Sequence, residues 1–221
     1  HHTFNKKRIS NKEIETNYLG PQYTNNEILK IIKINKLKYK KINNIEKLIA
    51  QEIENGKIIG HFSGSMEFGH RALGNRSILA DPRIKKNKDK VNKLIKFREN
   101  FRPFAPATLT EFSNDIFEMP LNRKVNFMER VYLIKKKWRS KIPAVTHIDG
   151  SGRIQTVSKE TNIRFYKIIK EFYNLTGVPV VLNTSFNLNG EPVVMTPEDA
   201  IRTFYTCGLD ILVLNDYIIY K

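Results

Sequence analysis

Apolar side chains recur at helical spacing in several stretches of the chain, and short apolar or alternating runs lie between them. Thr24 followed three residues on by Glu27, with Ile28, Ile31 and Ile32 on one face, predicts a helix opened by a capping box. Asn44 predicts a second helix start, with Ile45, Leu48, Ile49 and Ile53 inward and Gly56 as the stop. Further helices are predicted from about Asn87 to Glu99 (Val91, Leu94 and Ile95 inward) and over 161–176 (Phe165, Ile168, Ile169, Phe172 and Leu175 inward, ended by Gly177). A last helix opens at Thr196-Pro197-Glu198-Asp199 and runs to Gly208. Strands are predicted at Lys57–Phe62, Ser77–Ala80, Val131–Ile134, Ala144–Ile148, Arg153–Val157 and Val178–Leu182. A final hairpin pairs Ile211–Leu214 with Tyr217–Tyr220 about Asn215-Asp216. Pro103 and Pro106 exclude a regular helix there, so that segment is extended or looped. The lysine-rich stretch 33–41 is ambiguous. Helices and strands interleave with hairpin-like pairs, which predicts an α/β fold (α+β-like) with a mixed, twisted sheet and helices packed on it.

The 221 residues suit one large domain or two small ones, and 40% apolar composition suits a soluble globular core. Residues 1 to about 23 are polar and read as a lead-in, with His1 and His2 as a tag remnant; the domain assigned is 18–221, after a linker over 1–17. A single cysteine, Cys207, excludes an intramolecular disulfide and any Cys-based zinc site, and no apolar run is long enough to span a bilayer. A cytoplasmic protein with no membrane contact is the expectation. The net charge of +16 permits nucleic-acid binding, but Lys85, Lys86, Lys90 and Lys93 come with no nucleic-acid motif. They are read as a solvated face, and nucleic acid is not the expected partner.

The candidate chemistry lies in arginines set among glycines, prolines and phenylalanines. Arg71 and Arg76 are too far apart to share a helix face, and Gly69 and Gly74 predict a loop whose backbone N–H groups approach a phosphate while the arginines close over it. Lys88, Lys96, Arg98 and Arg102 form a second group, with Arg102 stiffened by Pro103. Planar guanidinium groups held in place suit phosphate or carboxylate. A third group is His147, Asp149 and Arg153. His147 and Asp149 could be two metal ligands, but no further cluster completes a set, so no metal is assigned and contact with an oxyanion is the better reading. Asn183, Thr184, Ser185 and Asn187 follow an apolar strand at the kind of strand end where open α/β sheets bind ligands. No base is nominated to activate a serine nucleophile, so these are read as binding groups. Neither GxxxxGK[ST] nor GxGxxG occurs.

These groups, in this order, resemble the C-terminal domain of the O-carbamoyltransferase family, which includes nodulation and antibiotic carbamoyltransferases. The resemblance covers roughly 18–221. It is carried by Met66–Arg83 (MEFGHRALGNRSILADPR), Phe101–Pro106 (FRPFAP), Thr146–Gly150 with Arg153-Ile154-Gln155, Gly177–Asn187, and Gly190-Glu191-Pro192 with Thr196–Ala200. His70 stands where the family often has proline, and Ser65 where it often has arginine.

The resemblance implies a YrdC-like α/β domain that makes carbamoyl-adenylate from ATP (with Mg²⁺) and carbamoyl phosphate. A separate N-terminal metal-containing domain, in cis or as a subunit, would then pass the carbamoyl group to a hydroxyl. It further implies that Arg71, Arg102 and Arg153 are catalytic, acting with Arg76, Lys88 and Arg98 on the phosphates. His147 would contact the ligand, and Asn183, Ser185 and Asn187 would hold the nucleotide end. Two alternatives are a double-stranded RNA- or tRNA-binding module on the same scaffold and a threonylcarbamoyl-adenylate synthase.

Overall fold

A computed structural model describes residues 16–221. The assigned linker over 1–17 lies outside them except for its last two residues. The stretch that follows is not a free lead-in. Gly20 N–H donates to Met66 O and Met66 N–H to Pro21 O, so residues 17–22 lie extended along the glycine-arginine segment.

The chain order is α1 (Asn25–Ile34), β1 (Lys40–Lys41), α2 (Ile45–Glu54), β2 (Ile59–Phe62), β3 (Arg76–Ala80), α3 (Lys85–Leu94), β4 (Ala105–Leu109), α4 (Ser113–Ile116), β5 (Arg130–Leu133), α5 (Lys136–Arg139), β6 (Ser151–Val157), α6 (Ile163–Thr176), β7 (Val180–Ser185), α7 (Pro197–Thr206), β8 (Ile211–Leu214) and β9 (Tyr217–Tyr220). The strands form one nine-stranded sheet in the order β1-β9-β8-β2-β3-β7-β4-β6-β5. The β2–β8 and β4–β6 pairs are parallel and the others antiparallel, so the sheet is mixed as expected. Helix α6 packs on β4, β7 and α2, while α7 packs on β2, β8 and α1.

The capping signals act as read. Thr24 and Glu27 form a reciprocal capping box, as do Thr196 and Asp199, and Asn44 accepts from Lys47 N–H. The interior strands β2, β3, β4 and β8 are buried at every position, which fits strands covered on both faces. Pro106 sits inside this sheet because its register partner is Leu182 of β7, while pairing with β6 begins only at Ala107; its missing N–H leaves no gap in the ladder.

Several expectations are corrected. The ambiguous lysine stretch supplies the edge strand β1, where exposed lysines discourage further pairing. Helix α3 stops at Leu94 rather than Glu99: Lys96 N–H reaches Val91 O, Arg98 N–H reaches Asn92 O, and Phe97 takes φ +44°, which no helix continues. Ala144–Ile148 is not a strand. Pro143 opens a 3₁₀ turn, Ala144 N–H donates to Pro82 O, and His147 N–H and Ser151 O close the Asp149-Gly150 turn. Leu175 is exposed rather than inward. Strand β7 does not open at Asn183 but continues to Ser185, and β3 begins at Arg76.

Candidate functional site

The segment from Glu67 to Asn75 joins β2 to β3, and its path is set by buried side chains. Glu67 Oε1 accepts from Leu73 N–H (2.7 Å), Asn75 N–H (2.7 Å) and Arg76 N–H (3.3 Å). Burial pushes the Glu67 carboxyl up and these donors pull it back. Ser77 Oγ takes Gly74 N–H at 3.0 Å, and His61 Nδ1 lies 2.6 Å from Gly74 O. The amides expected to meet a phosphate are therefore already taken from Leu73 to Arg76. What the loop presents instead is the Arg71 side chain.

Arg71 lines a cleft of about 100 Å³ with Arg98, Arg153, Asn183, Thr184 and Ser185. Each comes from a different place in the fold. Arg98 follows the reversal after α3, Arg153 stands near the start of β6, and 183–185 end β7. Arg98 Nε donates to Asn92 Oδ1 (2.7 Å) and its guanidinium lies over the Phe104 ring. Arg153 Nε is buried without a partner. Burial, and then the charges of Arg71 and Arg98, lower the Arg153 pKa; burial and then Arg102 lower that of Arg98. The lining contains neither Asp nor Glu. Three guanidinium groups thus converge and repel one another with no internal counter-ion in the cleft, an arrangement an anion relieves.

Asn183 forms the cleft floor, its Nδ2 donating to Ala72 O (3.1 Å) and Gln155 Oε1 (2.8 Å) while its Oδ1 has no partner. Ser185 and Asn187, expected to hold a nucleotide, surround Lys96. Lys96 Nζ donates to Ser185 O (2.6 Å), Ser185 Oγ (3.2 Å), Asn187 O (3.0 Å) and Asn187 Oδ1 (2.6 Å). Burial, reinforced by Arg98, brings its amine down to about 7. In the sequence Lys96 falls among the other basic residues with no distinct role, because nothing local separates it from the lysines before it.

Lys88 and His147 do not enter the cleft. They line an adjoining groove with Phe101, Ile148 and Asp149, and Pro103 borders both spaces. Burial, with Arg153 and Lys88 adding, lowers the His147 pKa against the opposing pull of Asp149. Arg102 is half exposed, ion-paired with Glu99 at 3.0 Å, and outside the cleft lining. Arg76 differs most from expectation. It is fully buried over the Phe62 ring, donating to the carbonyls of Ser63 (2.8 Å), Gly64 (3.2 Å), Asn75 (3.1 Å) and Pro21 (3.0 Å). It does not line the cleft and pins the loop from below. Among the described residues no group of His, Cys, Asp and Glu of metal-binding size forms, and no helix is long and apolar enough to cross a membrane.

Comparison with known proteins gives the family and the fold. The sequence profile of a family described as Carbamoyltransferase C-terminus matches residues 50–221. Nodulation protein NolNO of Sinorhizobium fredii is 49% identical over 78% of this chain and 25% of its own length. Nodulation protein NolO of Bradyrhizobium diazoefficiens is 46% identical over 78% of this chain and 32% of its own. The chain thus spans a quarter to about a third of these relatives. A crystal structure of full-length HypF in the phosphate- and nucleotide-bound form shares the fold, with a TM-score of 0.54 at 14% identity over 83% of this chain and 23% of that one. The chain belongs to the carbamoyltransferase C-terminus family.

Proposed function

We propose that this domain binds ATP and carbamoyl phosphate at the arginine cleft and forms carbamoyl-adenylate. The observation that carries the reading is the convergence of Arg71, Arg98 and Arg153 in a cleft without a carboxylate. In the proposed reaction carbamoyl phosphate loses inorganic phosphate to water, leaving carbamate. A carbamate oxygen attacks the ATP α-phosphorus, the bond to the bridging oxygen breaks, and pyrophosphate leaves. Negative charge builds on the equatorial oxygens and the leaving group, and cations held in advance stabilise it without a dedicated general base. Arg71, Arg98 and Arg153 supply those cations, and Lys96, held against Ser185, supplies another beside them. Lys88 and His147 line the adjoining groove beside Asp149, and Arg102, ion-paired with Glu99, lies outside the cleft lining.

With no carboxylate in the cleft lining, these residues do not fit a protein-bound Mg²⁺; an ion accompanying ATP would be held by the nucleotide's own phosphates. Transfer of the carbamoyl group to a hydroxyl belongs, in this reading, to a separate metal-containing domain in cis or on a partner subunit. The experiment is pyrophosphate release from ATP by this chain with and without carbamoyl phosphate. Release that depends on carbamoyl phosphate supports the reading. If neither compound binds at millimolar concentration, it is lost.

A further inference from the structure

The loop that carries Arg71 is closed on itself by an internal anion. Glu67 stands at its start, and one carboxylate oxygen gathers the N–H groups of Leu73, Asn75 and Arg76, which stand at its end. A cluster of convergent backbone amides is a site for an anion; here the chain's own buried carboxylate fills it. The remaining backbone groups of the returning strand are held as well. Asn183 Nδ2 donates to Ala72 O, Tyr18 OH and Gln155 Nε2 each reach Leu73 O at 2.9 Å, and Ser77 and His61 hold Gly74 on both sides. Arg71, in contrast, makes no hydrogen bond or ion pair to the described residues and lines the cleft. Its side chain is free to meet a ligand, while the backbone that follows it, from Ala72 to Arg76, is held.

From this geometry we infer that Glu67 is a positioning residue, which sets the place of the Arg71 guanidinium in the cleft by binding the amides at the far end of the loop. The inference rests on the proposed reading of the cleft as a phosphate site. Reach, more than charge, is the property required: one oxygen must approach three N–H groups at once. Aspartate keeps the charge and falls short by a methylene. Glutamine keeps an acceptor oxygen at the right distance and loses the charge.

The test is a double-mutant cycle on carbamoyl phosphate binding, read by titration calorimetry, with inorganic phosphate as a second probe. Amide hydrogen exchange of the same chains is followed by NMR. In the wild-type chain the amides of Leu73, Asn75 and Arg76 exchange slowly. Glu67→Asp loses that protection at these positions while the amides of Ser77–Ala80 keep theirs, and its affinity falls about tenfold or more, the scale of a lost hydrogen bond to a charged group. Glu67→Gln restores most of that loss. In an Arg71→Ala background Glu67→Asp changes affinity by less than about twofold, because the group it positions is gone. An equal loss in both backgrounds makes Glu67 a general structural residue and overturns the inference. So does an Asp variant that binds like wild type, or a Gln variant weaker than Asp. Fast exchange at the three amides in the wild-type chain overturns it whatever binds. A wild-type chain that binds neither probe nor ATP instead overturns the functional reading, and this inference with it.

Discussion

Lys96 Nζ and Asn187 Oδ1 stand 2.6 Å apart although 91 residues separate them in the chain. Ser185 adds its carbonyl and hydroxyl, so the ammonium is met by neutral oxygens alone and no carboxylate offsets its burial. That is why its pKa is drawn down to about 7. The same contact joins the turn after α3 to the end of β7 and so fixes one wall of the arginine cleft.

Binding of a phosphate anion should therefore take up a proton. Near pH 7 the Lys96 amine is partly uncharged, and an anion beside Ser185 favours its charged form and raises its pKa. Titration calorimetry at pH 7–8 in buffers of different ionisation enthalpy should show net proton uptake. Lys96→Met should abolish it. Uptake that persists in the variant would assign the proton to another group.

Arg71 and Arg76 should separate cleanly on mutation. Arg71→Ala should leave the unfolding free energy within about 0.5 kcal/mol of wild type and weaken carbamoyl phosphate binding by about 1.5–3 kcal/mol, the scale of hydrogen bonds to charged groups. Arg76→Ala should do the reverse first. It empties a fully buried site and strands four carbonyls, a loss of about 2–5 kcal/mol in stability. Chemical denaturation of both variants decides the matter; an Arg76→Ala chain as stable as wild type would count against the burial argument.

His61 should make stability fall on mild acidification. Burial holds its folded pKa down near 3, while the unfolded imidazole takes up a proton near 6.5. Below that value the unfolded chain binds the extra proton, so stability declines as the pH drops from 6.5 toward 3, by up to about 1.4 kcal/mol per pH unit. Between pH 6.5 and 5, above most carboxylate titrations, the slope of unfolding free energy should be clearly smaller in His61→Gln. Equal slopes would mean that His61 is not the source.

The two glycines of the loop should tolerate alanine unequally. Gly69 has φ +122° and open space where a Cβ would stand, so alanine there meets only backbone strain of about 1–3 kcal/mol. Gly74 has φ +120°, and a Cβ would come within 2.4 Å of the Phe165 ring, adding an overpacking cost of about 1–3 kcal/mol. Thermal unfolding should place Gly74→Ala below Gly69→Ala, and the reverse order would disprove the packing account.

Much of this protein was legible along the chain because the signals are local. Capping residues act over one helical turn, so Thr24, Asn44 and Thr196 could be read directly, as could the apolar spacing of α6 and the final hairpin. The order of arginine, asparagine and serine groups sufficed to point to an anionic ligand and to the family that the comparisons confirm. Local sequence misread Ala144–Ile148, where an apolar run is bent by Pro143 and by a bond to Pro82 that no local pattern reveals.

What only the tertiary structure decided is which charges are free. Arg71 and Arg76 look equivalent in the sequence, yet one faces the cleft and the other is buried with its two terminal nitrogens bonded to four carbonyls. Lys96 looks like its exposed neighbours, yet it is enclosed by a strand 89 residues away. Glu67 looks like a carboxylate available to an arginine, yet it binds backbone amides. A side chain's type sets what it can bind, and its partners set whether that capacity is spent; those partners come from distant segments brought together only by the sheet order.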